Sequence, residues 1–275
     1  MSLYICPLCG ENLKREFRSY RCRKGHCYDI SSSGYVHLLP VGQKHSKMPG
    51  DDKGMARARK NFLSEGYYGH LLEALRDLAC RLCGGEEPVV LDSGCGEGYY
   101  TAGIFHGLTA AGKKPKMAGI DLSKFSLRWA AKREPSIEFA VASAYHLPVA
   151  DRTADLLLNC FSPLAEAEFR RVMKPGGLFL YVVPGPRHLW ELKEVLYEKP
   201  YYNKEERSVY DGFRYREVRR VERRIHLPDQ ETIQSLFQMT PYYWKTPAKG
   251  KQQLEKLSEL DVQTEFDIHV FIREN

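Results

Sequence analysis

Between residues 88 and 199, short apolar runs alternate with segments of helical period, the pattern of a parallel sheet whose strands are joined by right-handed helical crossovers. Pro88 to Leu91 reads as the first buried strand and Tyr99 to Leu108 as the helix after it. Met117 to Asp121 predicts a second strand with a helix over Ser123 to Arg133, and Ile137 to Ala142 a third. Asp155 to Asn159 gives a fourth strand and Ala165 to Val172 its helix; Lys174-Pro175-Gly176-Gly177 then turns into a fifth strand, Leu178 to Val183. Val262 to Ile272 alternates apolar and polar positions and predicts a further, antiparallel strand. In an α/β sheet of this kind ligands bind beyond the carboxyl ends of the strands, where Asp92 and Asp121 fall.

The turn after the first strand is Asp92-Ser93-Gly94-Cys95-Gly96-Glu97-Gly98-Tyr99-Tyr100. Its glycines allow a backbone to approach a ligand without Cβ clashes. Their G-x-G-x-G spacing departs from the G-x-G-x-x-G that seats a pyrophosphate. Asp121 reads as an acceptor for ribose hydroxyls, or as part of a helix cap. Tyr67 and Tyr68 precede the helix that leads to strand one, a place from which an aromatic covers a cofactor or simply packs in the core.

At the amino end, Cys6, Cys9, Cys22 and His26 make a Cys-x2-Cys-x12-Cys-x3-His pattern. Four such ligands suit a closed, structural tetrahedral zinc site, with Cys27 the alternative to His26. Cys80 and Cys83 form a second Cys-x2-Cys without a partner pair and read as core or partly exposed thiols. Eight cysteines, no apolar leader and no transmembrane run predict a reducing, cytoplasmic setting away from membranes. A chain of 275 residues that is 43% hydrophobic can bury one large domain and a small one.

A net charge of +6 is modest, but it is clustered. Lys14, Arg15, Arg18, Arg21, Arg23 and Lys24 lie in the cysteine region, and Lys44 to Lys60 adds six more basic residues. Phe213 to His226 interleaves Arg214, Arg216, Arg219, Arg220, Arg223 and Arg224 with Phe213, Tyr215 and Val218. Arginine beside aromatics suits RNA phosphates and bases, although an exposed strand with charged outer residues shows the same pattern.

The glycine loop and the Lys-Pro-Gly-Gly turn resemble those of class I methyltransferases, which implies a Rossmann-like fold and S-adenosylmethionine as cofactor. The resemblance places Asp92, Gly94, Gly96, Gly98, Tyr99, Tyr100 and Tyr68 around that cofactor and Asp121 on its ribose. It puts an adenine-contacting loop at Ser143 to Pro148, with Ser143 and His146 as contacts, although relatives often carry Asp where this chain has Ala142-Ser143. Over nearly its whole length the chain resembles the RlmA-type 23S rRNA (guanine-N1) methyltransferases. Cys6-Pro7-Leu8-Cys9, Gly34 to Pro40, Pro49-Gly50-Asp51, Ala58-Arg59, Pro184 to Leu189 with Glu191-Leu192-Lys193, and Gln238 to Tyr242 with Trp244 carry this likeness; residues 200 to 230 match least. It implies a zinc-binding RNA-recognition module over 1–40, a helical lead-in over 41–85 and a methyltransferase domain over 86–275. It also implies a homodimer that methylates a hairpin in domain II of 23S rRNA.

Guanine N1 carries a proton and is hidden in a base pair, so the base must be unpaired or splayed out. Asn159-Cys160-Phe161-Ser162-Pro163 resembles, without matching, the Asn-Pro-Pro-Tyr of amino-group methylases. Phe161 is a candidate to stack on the base and Asn159 to orient it, against a plain turn. His188 is the first candidate for proton relay with His146 the second, and Arg187 for phosphate or carbonyl contact, each against a role in starting a helix. Two other readings keep the fold: a small-molecule methyltransferase with a zinc staple, and a protein that clamps RNA without chemistry.

Overall fold

A computed structural model describes residues 2–40, 42, 50–205 and 209–275; Lys44, Lys47 and Pro49 of the motifs above lie outside them. Strands β1 (Lys14–Arg15), β2 (Ser19–Arg21) and β3 (Cys27–Asp29) form a small antiparallel sheet, followed by β4 (Val36–His37). Helices α1 (Lys53–Ser64) and α2 (Gly69–Leu82) lead into β5 (Val89–Ser93), α3 (Tyr99–Ala110), β6 (Lys116–Asp121), α4 (Lys124–Arg133) and β7 (Glu138–Val141). Next come β8 (Ala154–Cys160), α5 (Glu166–Val172), β9 (Met173–Pro184) and α6 (Trp190–Leu196). The chain finishes with β10 (Phe213–Leu227), α7 (Gln230–Gln238), α8 (Tyr242–Lys245), α9 (Ala248–Leu254) and β11 (Leu260–Arg273).

The large sheet has the order β10-β11-β9-β8-β5-β6-β7-β4. Its strands from β9 to β4 are parallel, and β11 runs antiparallel between β9 and β10. The chain winds outward in both directions from β5, so a crevice opens at the carboxyl ends of β5 and β8. Residues on each strand alternate between two buried layers: Val90, Leu156 and Leu180 face one, Leu91, Leu157 and Phe179 the other. Burial on both faces is why these strands read as unbroken apolar runs.

Three details differ from the sequence reading. Lys174 to Gly177 is not a separate turn: β9 already begins at Met173, and the pairing with β8 shifts register there, with Gly176 at φ 79°. From Thr264 on, the polar positions in the middle of β11 do not face water; Thr264, Glu265, Asp267 and His269 are buried, and Arg220 of β10 pairs with Asp267 at 2.8 Å and Glu265 at 3.2 Å. Val36 and His37 pair with β7 and so edge the large sheet. The arginine-rich cluster is the exposed edge strand β10, and Arg219 and Arg224 are ion-paired with Asp77 and Glu191.

The amino-terminal sheet is fixed to the large one by Tyr4, a buried side chain whose hydroxyl donates to the carbonyls of Gly119 (3.2 Å) and Glu138 (2.9 Å). The Ile5 amide adds a bond to the Pro148 carbonyl. Cys83 is buried and Cys80 half-buried, as expected of core thiols. No helix among the described residues is long and apolar enough to cross a membrane.

Candidate active site

The zinc-type pattern converges in space. One ligand atom each from Cys6, Cys9, Cys22 and His26 lies within 4.8 Å of all the others. The Cys9 and Cys22 sulfurs are 3.7 Å apart, and His26 Nδ1 is 3.4 Å from the sulfurs of Cys6 and Cys22. A zinc tetrahedron with bonds of about 2.3 Å to sulfur and about 2.05 Å to nitrogen has edges of roughly 3.8 and 3.6 Å, so the cluster fits the ion and leaves no position for water. The Tyr28 hydroxyl lies 3.0 Å from the Cys6 sulfur, an outer partner of the kind that tunes such ligands. Cys27 is exposed outside the cluster, which resolves the choice in favour of His26.

Beyond the ends of β5, β8 and β9 lies a cavity of about 640 Å³. The loop after β5 forms its floor. Gly94 holds φ 89°, and a Cβ there would collide with Ser162, so only glycine fits between the two loops. Asp92 is buried: Oδ2 accepts from Thr101 Oγ1 at 2.6 Å, while Oδ1 has no partner. Burial raises its carboxyl to about 7 against the Thr101 hydrogen bond, with the charges of Asp121 and Glu97 adding to the rise. Glu97 is likewise buried and raised to about 7 by burial, although Arg133 pairs with it at 3.0 Å. The hydroxyls of Tyr68 and Tyr100 are buried without partners on the same lining. A buried Asp92 oxygen and two tyrosine hydroxyls left without partners around a glycine cradle fit a cationic, polar ligand such as S-adenosylmethionine.

The other half of the cavity is aromatic. Phe161 stands 46% exposed at the end of β8, its ring 5.6 Å from that of Phe266, at a left-handed φ of 53°. Leu189 beside it has φ 56°; such backbone costs about 1–3 kcal/mol and gathers at binding sites. His188 is buried against Phe266 and Tyr68. The Glu265 amide donates to its Nδ1 at 3.2 Å, which leaves the proton on Nε2. Burial, helped by the charge of Lys193, lowers its pKa to about 3. The ring is thus held neutral and presents an Nε2–H donor on the cavity lining. Tyr201 to Lys204 complete the wall, tied down by buried Lys193, whose Nζ donates to Tyr201 O (3.0 Å) and Asn203 Oδ1 (2.8 Å).

Asp92, Gly94, Gly96, Tyr99, Tyr100, Tyr68, Phe161 and His188 therefore meet on one lining, and six other expected residues do not. Gly98 starts α3 in a left-handed conformation, pressed on Ala130. Asp121 spends its carboxylate on the amides of Gly96 (2.9 Å) and Ser123 (2.6 Å), holding the loop to the end of β6. Ser143 caps its own turn by accepting from the Tyr145 amide, and His146 is exposed. Asn159 is fully buried, donating to the carbonyls of Ser93 and Pro163, a brace between strand ends. Arg187 is exposed, its amide bound by Glu265 at 2.5 Å. Sequence reasoning did not place Arg59, Glu97, Tyr201 to Lys204 or Met239 to Tyr242 on the site. Only the family-like runs at Ala58-Arg59 and Gln238 to Tyr242 hinted at some of them.

A family model for the RlmA amino-terminal zinc ribbon matches residues 4–47, and a methyltransferase domain model matches residues 90–177. YxjB of Bacillus subtilis (strain 168), provisionally assigned as a 23S rRNA (guanine-N(1)-)-methyltransferase, is 33% identical over 277 residues, 97% of this chain and 96% of that protein. The 23S rRNA (guanine(748)-N(1))-methyltransferase of Streptomyces fradiae is 36% identical over 193 residues, 70% of this chain and 66% of that protein. Among solved structures, YcgJ of Bacillus subtilis aligns with a TM-score of 0.50 at 16% identity, over 74% of this chain and 99% of that one, a likeness of fold.

Proposed function

Since the chain belongs to the RlmA family of S-adenosylmethionine-dependent 23S rRNA (guanine-N1) methyltransferases, we propose that its target is a guanine in a hairpin of domain II of that RNA, and that its zinc ribbon helps to hold the strand. The observation that carries this reading is the single cavity with an acidic, glycine-lined floor and an aromatic wall, which offers a cofactor and a flipped base adjoining places. A homodimer belongs to the same proposal, as does the division into a module over 1–40, a lead-in over 41–85 and a catalytic domain over 86–275.

When bound, S-adenosylmethionine supplies an electrophilic methyl group on a sulfonium. Asp92 and the Gly94 to Gly96 backbone would hold the amino acid and sulfonium end, and Tyr68, Tyr99 and Tyr100 would cover it and exclude water. Phe161 stacks on the target base. His188, kept neutral with its proton on Nε2, would donate to guanine O6; as the N1 proton passes to solvent water, negative charge spreads to O6 and this bond strengthens. Asp121, Asn159 and Arg187 act as braces and anchors of the strand-end loops. The fully exposed Phe17, flanked by Arg18 at the tip of the β1–β2 hairpin, is the ribbon's candidate for RNA contact.

The test is incubation of the protein with labelled S-adenosylmethionine and unmodified 23S rRNA, followed by primer extension. An N1 methyl blocks pairing, so a single new stop at a guanine of the domain II hairpin is expected. Label without a stop moves the methyl off the pairing edge. A stop elsewhere in the RNA overturns the hairpin assignment.

A further inference from the structure

We infer that Arg59 recognises the carboxylate of the cofactor's amino acid moiety, an assignment that rests on the cofactor reading above. The cofactor's reacting end is zwitterionic as well as cationic, and the acids Asp92 and Glu97 serve only its positive groups. A carboxylate in the same half of the cavity needs a cation. Among the described lining residues, Arg59 and Lys204 carry a permanent positive charge. Lys204 is exposed, next to Asn203, which donates to the Gly185 carbonyl just past the end of β9. Arg59 abuts the glycine loop: a Cβ on Gly96 would lie 3.9 Å from Arg59 Cδ and 4.0 Å from Nη1.

Its guanidinium is built into place. Gly50, at φ 76°, lies so close to the turn between β6 and α4 that a Cβ would come within 2.8 Å of the Ser123 amide nitrogen, and Ser123 Oγ donates to the Asp51 carbonyl at 2.6 Å. The strap held in this way sets the Asp51 carboxylate 2.9 Å from Arg59 Nη1. Nη2 donates to the Met239 carbonyl at 3.1 Å. One of the five N–H donors is thus used on the Met239 carbonyl, the Asp51 carboxylate adds an ion pair that fixes the fork, and the remaining donors can serve a ligand. Through Met239 the same side chain positions Thr240 to Tyr242, so the group that reads the cofactor also holds part of the substrate wall.

The experiment is calorimetric titration of the full, zinc-loaded chain and its Arg59→Met and Arg59→Lys variants with S-adenosylmethionine and with its decarboxylated analogue, after circular dichroism has shown each variant folded. A lost charge-assisted hydrogen bond weakens binding tenfold or more. The wild type should bind the decarboxylated analogue at least tenfold more weakly than the parent. Arg59→Met should lose about tenfold or more for S-adenosylmethionine and less than about threefold for the analogue. Arg59→Lys, which keeps the charge beside Asp51 should Met fail to fold, should fall between and again only for the carboxylated ligand. Equal losses for both ligands, or a wild type indifferent to the carboxylate, overturn the assignment. A wild type that binds neither ligand overturns the cofactor reading itself.

Discussion

Replacing Asp92 by Asn should make the cofactor-free protein more stable and worse at binding its cofactor. Burial, opposed by the Thr101 hydrogen bond and aided by Asp121 and Glu97, lifts the carboxyl from 3.8 to about 7. Between about pH 4 and pH 7 the folded protein therefore keeps a proton that the unfolded chain has released. Stability falls as pH rises through that window and levels off above it. Three pKa units at about 1.4 kcal/mol each set a ceiling of roughly 4 kcal/mol near pH 7.5. Asparagine keeps an acceptor for Thr101 but adds an amino group that must find a partner, so the net gain should be about 2 kcal/mol. For a chain of this size that is a rise of roughly 4–8 °C in Tm. Scanning calorimetry of the cofactor-free proteins at about pH 5.5 and pH 7.5 measures it, with the larger gain at the higher pH. Titration with S-adenosylhomocysteine should meanwhile show at least a tenfold loss of affinity. A variant less stable than wild type at the higher pH, with affinity unchanged, would refute the idea that the cavity stores an unpaired acid for a cationic ligand.

Metal analysis should find one zinc per chain, lost in Cys22→Ser and retained in Cys27→Ser, because only Cys22 belongs to the tetrahedral cluster. Phe17→Ala should weaken binding of the hairpin RNA about tenfold in a filter or anisotropy assay while leaving S-adenosylhomocysteine affinity unchanged, since the ring is 97% exposed and makes no core contact whose loss would disturb the fold. His188, lowered to about 3 from its ordinary 6.5, stays neutral in the folded protein while the unfolded chain takes up a proton, so its contribution to stability is lost as pH falls below about 6.5. His188→Asn should therefore flatten the acid side of a stability profile followed by denaturant unfolding, and the wild-type kcat profile should show no inflection near pH 6.5 that this substitution removes.

The parallel core was legible because its strands are locally apolar on both faces; Val90, Leu157 and Leu180 needed no distant partner to be read as buried. The zinc cluster and the glycine loop were legible for a related reason, since their ligands or turns are close in sequence. Arg59, Tyr201 to Lys204 and Met239 to Tyr242 were not, because they meet only after segments far apart in the chain pack around the ends of β5, β8 and β9. Spacing carries no trace of such a meeting. Asp121 was read as a ribose acceptor or a helix cap and Asn159 as a base-orienting group or part of a turn, and the structure shows both holding backbone groups at the strand ends. A polar residue at the right strand end serves either purpose, and only the hydrogen-bond partners tell them apart.

Tyr4 turns the two sheets into a caliper. With its hydroxyl bonded to two carbonyls of the catalytic sheet and its ring 6.1 Å from that of Tyr20 in the hairpin, Tyr4 ties the described part of the ribbon to that sheet. If the ribbon holds RNA as proposed, a nucleotide at its tip would be presented at a set offset from the methyl-transfer cavity. The enzyme on this view selects its guanine by measuring along the RNA fold, so that lengthening the hairpin stem by a base pair would shift or silence modification even with the target's neighbours unchanged.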